Sequence, residues 1–377
     1  MRGRVDSQGD IYHTFNVHDL VPARHPLREI KRRVDQVLAG MSRDFNAAYG
    51  RTGRPSIPPE RLIKALLLQA LYSVRSDIQL CEQIGYNLLF RWFLDMQPSE
   101  QVWTPEVFSM NRQRFADHGF VQTFFDRIVR EALLEGVASR EHFAVDGTLI
   151  QSYASLKSVR PIQQQDEKVS DGSDDDDPGN PTVNFRGQKR ANATHRSVVD
   201  PEARLARKGD GQPALLSHSV HVLMETDAGL CLDVAVDEAN GRAEREQALT
   251  MVQRLKRRHP IRPASLAADK GYAAGPFLAE LERQRVTPLV PMPNVPIKGD
   301  DAPAAARRRA RQRMTTAAYR AGQRVRKRVE EIIGWCKTIG GLRRTRFVGR
   351  WKIRLQALTT GAAYNLLRLA RLRPSPA

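Results

Sequence analysis

Apolar residues recur at helical spacing through the first third of the chain and at strand spacing beyond it. Residues 1–138 read as helical throughout. After the turn-rich Gly53-Arg54-Pro55-Ser56-Ile57-Pro58-Pro59, the run Glu60 to Ser73 is dense in Leu, Ile and Ala, and the prolines with Ser56 mark a helix start. Ser76-Asp77 opens another helix through Ile78, Leu80 and Ile84. Asn87 to Met96 is apolar and aromatic. Thr104-Pro105-Glu106 caps a further helix, whose polar side carries Asn111, Arg112, Gln113 and Arg114. Short helices followed by one bearing these groups suit either a helix-turn-helix DNA reader, with Arg112 and Arg114 in contact, or an ordinary helical bundle with a solvated face.

From Glu141 the period changes. His142 to Ile150, Leu215 to Glu225, Leu230 to Val236, Ser265 to Asp269 and Thr287 to Pro291 read as strands. Arg242 to Arg258 and Gly275 to Arg285 read as helices between them. This order predicts a mixed α/β sheet covered by helices over residues 139–377. Two segments look unpacked. Residues 161–181 hold Asp166, Glu167, Asp171 and Asp174 to Asp177 with few apolar groups, and are expected to be an acidic disordered loop. Residues 296–313, rich in Pro, Ala and Arg, are expected to be a flexible basic loop.

Charge narrows the functional classes. The 377-residue chain carries a formal net charge of +18. Lys298 to Arg373 holds 21 Lys/Arg against 4 Asp/Glu, so nearly all the surplus lies there. A charge so polarised forms a face or groove for a polyanion, and nucleic acid is the expected partner. Three scattered cysteines, Cys81, Cys231 and Cys336, suit neither a disulfide framework nor a structural zinc site. No signal-peptide core and no apolar run long enough to span a bilayer is present. The expectation is a cytoplasmic protein, on the nucleoid when bound to DNA, with no membrane partner.

Candidate chemistry rests on three acids. Asp146 interrupts an apolar strand and Asp269 ends one, and each is followed by glycine within two positions. A carboxylate in such a place is costly unless compensated, and a divalent cation compensates it well. An Asp ending a strand can instead cap a turn. Arg324 to Lys337 reads as one helix with Val329, Ile332, Ile333 and Cys336 as its apolar stripe. Arg326 lies one turn before Glu330, and Lys337 two turns after it, on the same face. That face is either a salt-bridged surface or a place where an acid holds metal and cations hold phosphates.

Taken together, these motifs resemble the DDE transposases of bacterial insertion sequences, in the insertion sequence 5 family. The resemblance runs through Leu67 to Ser76, Tyr86 to Leu94, Val145-Asp146-Gly147-Thr148, Asn192 to Ser197, Asp200 to Leu205 and Ala268-Asp269-Lys270-Gly271-Tyr272. Arg326, Glu330 and Lys337 match the family's Tyr-Arg-Glu-Lys signature, while Gln323 occupies the tyrosine position. The resemblance implies a ribonuclease-H-like catalytic domain after an all-helical DNA-binding domain. It implies Asp146, Asp269 and Glu330 as catalytic metal ligands for two Mg²⁺ ions, with Mn²⁺ able to substitute. It further implies cleavage at terminal inverted repeats, joining to target DNA and a homodimer in the active complex. Arg326, Lys337, Arg307, Arg308, Arg309, Arg343 and Arg344 are the expected DNA contacts there. A nuclease that does not join, or a DNA-binding regulator without catalysis, would carry many of the same features.

Overall fold

The computed structural model describes residues 16–50, 52–53, 55–162, 191–208, 212–240 and 243–372. Most of the acidic segment expected to be disordered lies outside the described residues. Eight helices come first: α1 (Val17–Leu20), α2 (Pro26–Ala39), α3 (Ser42–Ala48), α4 (Pro59–Leu71), α5 (Asp77–Tyr86), α6 (Leu88–Phe93), α7 (Glu106–Asp117) and α8 (Phe120–Leu134). Side-chain caps start α1, α2, α5 and α6, whereas α3, α4, α7 and α8 begin without one. The Ser76 hydroxyl accepts from the Gln79 amide, and the Asn87 side chain accepts from those of Leu89 and Phe90. In α8, Phe120, Phe124, Phe125, Ile128 and Ala132 recur at helical spacing, and all are buried.

The sheet follows. Its strands are β1 (His142–Gln151), β2 (Val159–Pro161), β3 (His195–Ser197), β4 (Arg204–Ala206), β5 (Leu215–Glu225), β6 (Cys231–Glu238), β7 (Ser265–Ala267) and β8 (Thr287–Leu289). β2 and β3 form a separate pair. In the main sheet β5 is antiparallel to β1, β4 and β6, whereas β7 runs parallel to β1 and β8 parallel to β7. The antiparallel strands β6, β5 and β1, continued by the parallel β7 and β8, form the expected ribonuclease-H-like arrangement, to which short β4 adds on β5. The β5–β6 turn uses Gly229 at φ 73°, where a side chain would be strained.

Six helices complete the chain: α9 (Ala243–Arg258), α10 (Gly275–Arg283), α11 (Ala302–Arg313), α12 (Ala317–Arg326), α13 (Arg328–Thr338) and α14 (Arg350–Leu372). α9 covers one face of the sheet, while α13 and α14 pack with Thr148, Val222 and Val234 on the other. α14 also packs on α2, α4, α7 and α8, so the helical region and the sheet share one continuous core. At Gly361 α14 meets both: an added Cβ would lie 3.1 Å from Phe125 of α8 and 3.3 Å from Val234 of β6.

Two expectations are corrected. The basic stretch read as a flexible loop is largely α11. Asp301 caps it, Ala304, Ala306 and Ala310 are buried, and Arg309 and Arg313 both pair with Glu282 of α10. Alanine at helical spacing has little hydrophobic signal, yet it suffices where helices approach closely. The helix read as continuous from Arg324 is divided at Lys327 into α12 and α13, and that division aims Arg326 at the sheet.

Candidate active site

The register of β1 and β7 assembles the first two acids. His142 pairs with Ser265, Phe143 with Leu266 and Ala144 with Ala267. Continuing two residues brings Asp146 level with Asp269, just beyond the end of β7. Each acid folds one oxygen onto the chain: Oδ1 of Asp146 accepts from the Gly147 amide at 2.8 Å, and Oδ1 of Asp269 from the Gly271 amide at 2.8 Å. Gly147 lets Glu244 and His221 approach closely: an added Cβ would lie 3.0 Å from both Oε1 of Glu244 and Nδ1 of His221.

The electrostatics at this end of the sheet are unbalanced. Burial pushes the Asp146 carboxyl up to about 6, and the charges of Asp269 and Glu244 push in the same direction. Burial and Asp269 also raise Glu244. The Tyr272 hydroxyl is buried without a hydrogen-bond partner and is raised by burial and then by Glu244, Asp146 and Asp269. Glu244 therefore belongs to the acidic group. Sequence reading missed it because α9 is rich in charge and nothing in its spacing sets one glutamate apart.

Arg326 is the compensating cation. Its guanidinium lies 3.8 Å from Oδ2 of Asp146 and 3.8 Å from Oε1 of Glu330, linking the strand acid to the helix acid. The Glu330 side chain is 63% exposed. Gln323 fixes α12 in place: its amide donates to the carbonyls of Ala268 and Leu289, at the ends of the parallel strands, and its oxygen accepts from Nε of Arg326. The residue at the usual tyrosine position thus braces the arginine. Lys337 is half-buried and its pKa is lowered by burial and then by Lys208 and Arg343, with Asp146 acting oppositely.

Among the described residues no group of three or more His, Cys, Asp or Glu side chains is gathered closely enough to hold a metal ion. The donor chemistry nonetheless fits a hard divalent cation. Asp146 and Asp269 offer carboxylate oxygens at one level of the sheet, and the repulsion that raises Asp146 is what such an ion removes.

A model for the family described as "Transposase DDE domain" matches residues 138–366. The chain belongs to the transposase DDE domain family. It is a DNA transposase, and membership implies use of a divalent metal. A second model, "Transposase domain (DUF772)", matches residues 15–114. Among solved structures, the chain is similar at 14% identity to the Mos1 transposase paired-end complex with left transposon end, covering 70% of this chain and 79% of that one at a TM-score of 0.20. It is also similar at 13% identity to the Mos1 strand transfer complex, covering 77% and 81% at a TM-score of 0.20. No curated protein matches.

The remaining expected DNA contacts of this transposase divide by environment. Arg112 is buried, ion-paired with Asp77 and placed 4.7 Å from the Phe347 ring. An arginine in a polar-looking helix repeat cannot be told from a surface one until its partner is placed. Arg114 lies over Tyr49 and donates to Asn111. Arg308 pairs with exposed Asp300, and Arg309 with Glu282, whereas Arg307 is half-buried in α11. Arg344 donates to the Tyr153 carbonyl. Within the basic run from Arg343, Arg350 pairs with Glu202 and Asp237, and Arg354 donates to Gln122. Asn192 and His195 make local hydrogen bonds to Leu205 and Thr194, and His218 is buried against Asp200.

No helix among the described residues is long and apolar enough to cross a membrane.

Proposed function

We propose that this transposase, in the insertion sequence 5 branch, cuts at the ends of its element and joins them to target DNA, with Asp146, Asp269 and Glu330 as the catalytic carboxylates. The reading is carried by the shared register of Asp146 and Asp269, linked through Arg326 to Glu330. When bound, two Mg²⁺ ions, or Mn²⁺ in their place, supply activation of the attacking oxygen and stabilisation of the leaving oxygen. Asp146 and Asp269, at the end of the interior strands β1 and β7, would hold these ions, with Glu330 of α13 as the third carboxylate ligand. Arg326 would contact a phosphate beside the reacting strand. Lys337 holds the adjoining phosphate. Arg307, Arg343 and Arg344 extend the cationic path for the DNA backbone. Two copies of the chain bring two element ends together, in the bacterial cytoplasm.

The test is cleavage and joining of a labelled DNA carrying the element's ends, with and without Mg²⁺, by wild type and by Asp146→Asn, Asp269→Asn and Glu330→Gln. The expected result is that wild type yields cut and joined products and that each variant binds DNA but yields neither. Normal cutting by any variant removes that residue from the site. Cutting without joining by wild type replaces this reading with a nuclease, and binding alone replaces it with a regulator.

A further inference from the structure

A cavity of about 480 Å³ lies between the helical region and the segment joining α13 to α14. Its volume falls in the range of sites for small organic molecules and cannot admit a duplex. Leu66, Ala70, Val74, Phe115 and Leu355 give it an apolar lining. Seven cations also line it: Arg75, Arg112, Lys337, Arg343, Arg344, Arg346 and Lys352, with no carboxylate among the lining residues. Asp77, behind the lining, is shared by Arg112 and Arg346. Nε of Arg346 is buried without a partner. Lys337 and Arg343 oppose each other's charge. An anion with an apolar, flat body satisfies both the cations and the lining.

We propose that this cavity binds one or two unpaired nucleotides of single-stranded DNA, with the base against the apolar lining and the phosphate on Lys337 and Arg343. The proposal rests on the transposase reading, because Lys337 lines this cavity and, with Thr148 of β1, two residues from Asp146, also lines a smaller one beside the sheet. A strand whose phosphate reaches Lys337 from the carboxylates therefore meets the cavity lining. A strand end frayed from the duplex fits; paired bases do not.

The test is fluorescence anisotropy of the full chain with labelled hairpin duplexes that are blunt or carry a two-nucleotide 5′ or 3′ overhang. Val74→Trp and Leu355→Trp fill the cavity and leave its cations in place. For wild type, one overhang duplex is expected to bind about tenfold tighter than the blunt one, in keeping with stacking of unpaired bases. In both tryptophan variants that ratio should fall to about one while blunt-duplex affinity holds. A ratio near one in wild type, or a preference that survives both variants, overturns the proposal. Competition equally effective from inorganic phosphate and from a dinucleotide also overturns it, since the site would then read charge alone. Should the variants not fold, 4-thiothymidine in the overhang decides on wild type: crosslinks to peptides containing Phe115 or Phe347 support the proposal, and crosslinks elsewhere overturn it. Loss of blunt-duplex binding by wild type would instead sink the transposase reading itself.

Discussion

Asp146 and Asp233 are both aspartates set in apolar strands, one on β1 and one on β6, yet the protein treats them oppositely. The Asp233 side chain is 2% exposed and completed from within. Arg254 approaches to 2.8 Å, Arg258 to 3.8 Å, and the Val234 amide donates to its other oxygen. The Asp146 side chain is 20% exposed, accepts from the Gly147 amide much as Asp233 does from Val234, but has its ion-pair partner Arg326 only at 3.8 Å and faces the negative charges of Asp269 and Glu244. A buried acid whose partners are all present is architecture. A buried acid crowded by other acids has room for a cation that the chain does not supply.

Exchanging the roles should give the largest effect. Asp146→Asn or Asp269→Asn should lower cleavage by roughly a thousandfold or more in a single-turnover assay, as the loss of a group that stabilises transition-state charge. The same change at Asp233 should leave the rate of the folded protein nearly intact, and a comparable rate loss there would erase the distinction. Stability should respond the other way. Asp233→Ala strands Arg254 beside an emptied site and should cost about 3 kcal/mol in denaturant unfolding.

Burial raises both carboxyls, and at Asp146 the neighbouring acids add to it. The Asp146 carboxyl is raised to about 6 in the folded protein, against about 3.9 unfolded. Its contribution to stability is therefore fully present below pH ~3.9 and is lost as pH rises through about 6. In metal-free protein, Asp146→Asn should thus be stabilising by about 3 kcal/mol at pH 7 and nearly neutral near pH 4. Equal effects at both pH values would mean that the carboxyl is already compensated. A smaller effect is expected from Glu244→Gln, which removes one of the charges raising Asp146. The acid limb of the cleavage rate should move down by less than about one pH unit. An unmoved limb would place Glu244 outside the acidic group. Smallest of all, Arg309→Ala should reduce the salt dependence of DNA binding by less than Arg307→Ala, because Glu282, shared with Arg313, offsets part of its charge, whereas Arg307→Ala should reduce the slope by about one.

The same pair of aspartates marks what could be read from sequence. Strands β1, β5 and β6 were legible because long apolar runs with a glycine turn leave few alternatives, and α4, α5 and α7 were legible from their starts. Asp146 was legible through its resemblance to a known motif, since interruption of an apolar strand describes Asp233 equally well. What separates the two is the position of Arg254 and Arg326, and ion pairs between distant elements leave no periodic trace. α11 was misread for a related reason: its buried face is alanine, and its arginines looked solvated until Glu282 was found beneath them. α14 was not read as an element at all. Its stripe is interrupted by Gly361 and Asn365, both buried, the latter bonded to the Cys231 backbone.

That last helix carries a consequence for how the molecule comes into being. α14 leaves the ribosome after every other described element, yet it fills the seam among α2, α4, α8 and β6. Until it arrives, the apolar sides of those elements have nothing to close on, and the carboxylates of the sheet stand on an unfinished support. The enzyme therefore begins only once α14 has been made, and a messenger broken or a reading frame shifted ahead of Arg350 would yield an aggregation-prone fragment rather than a weakened transposase.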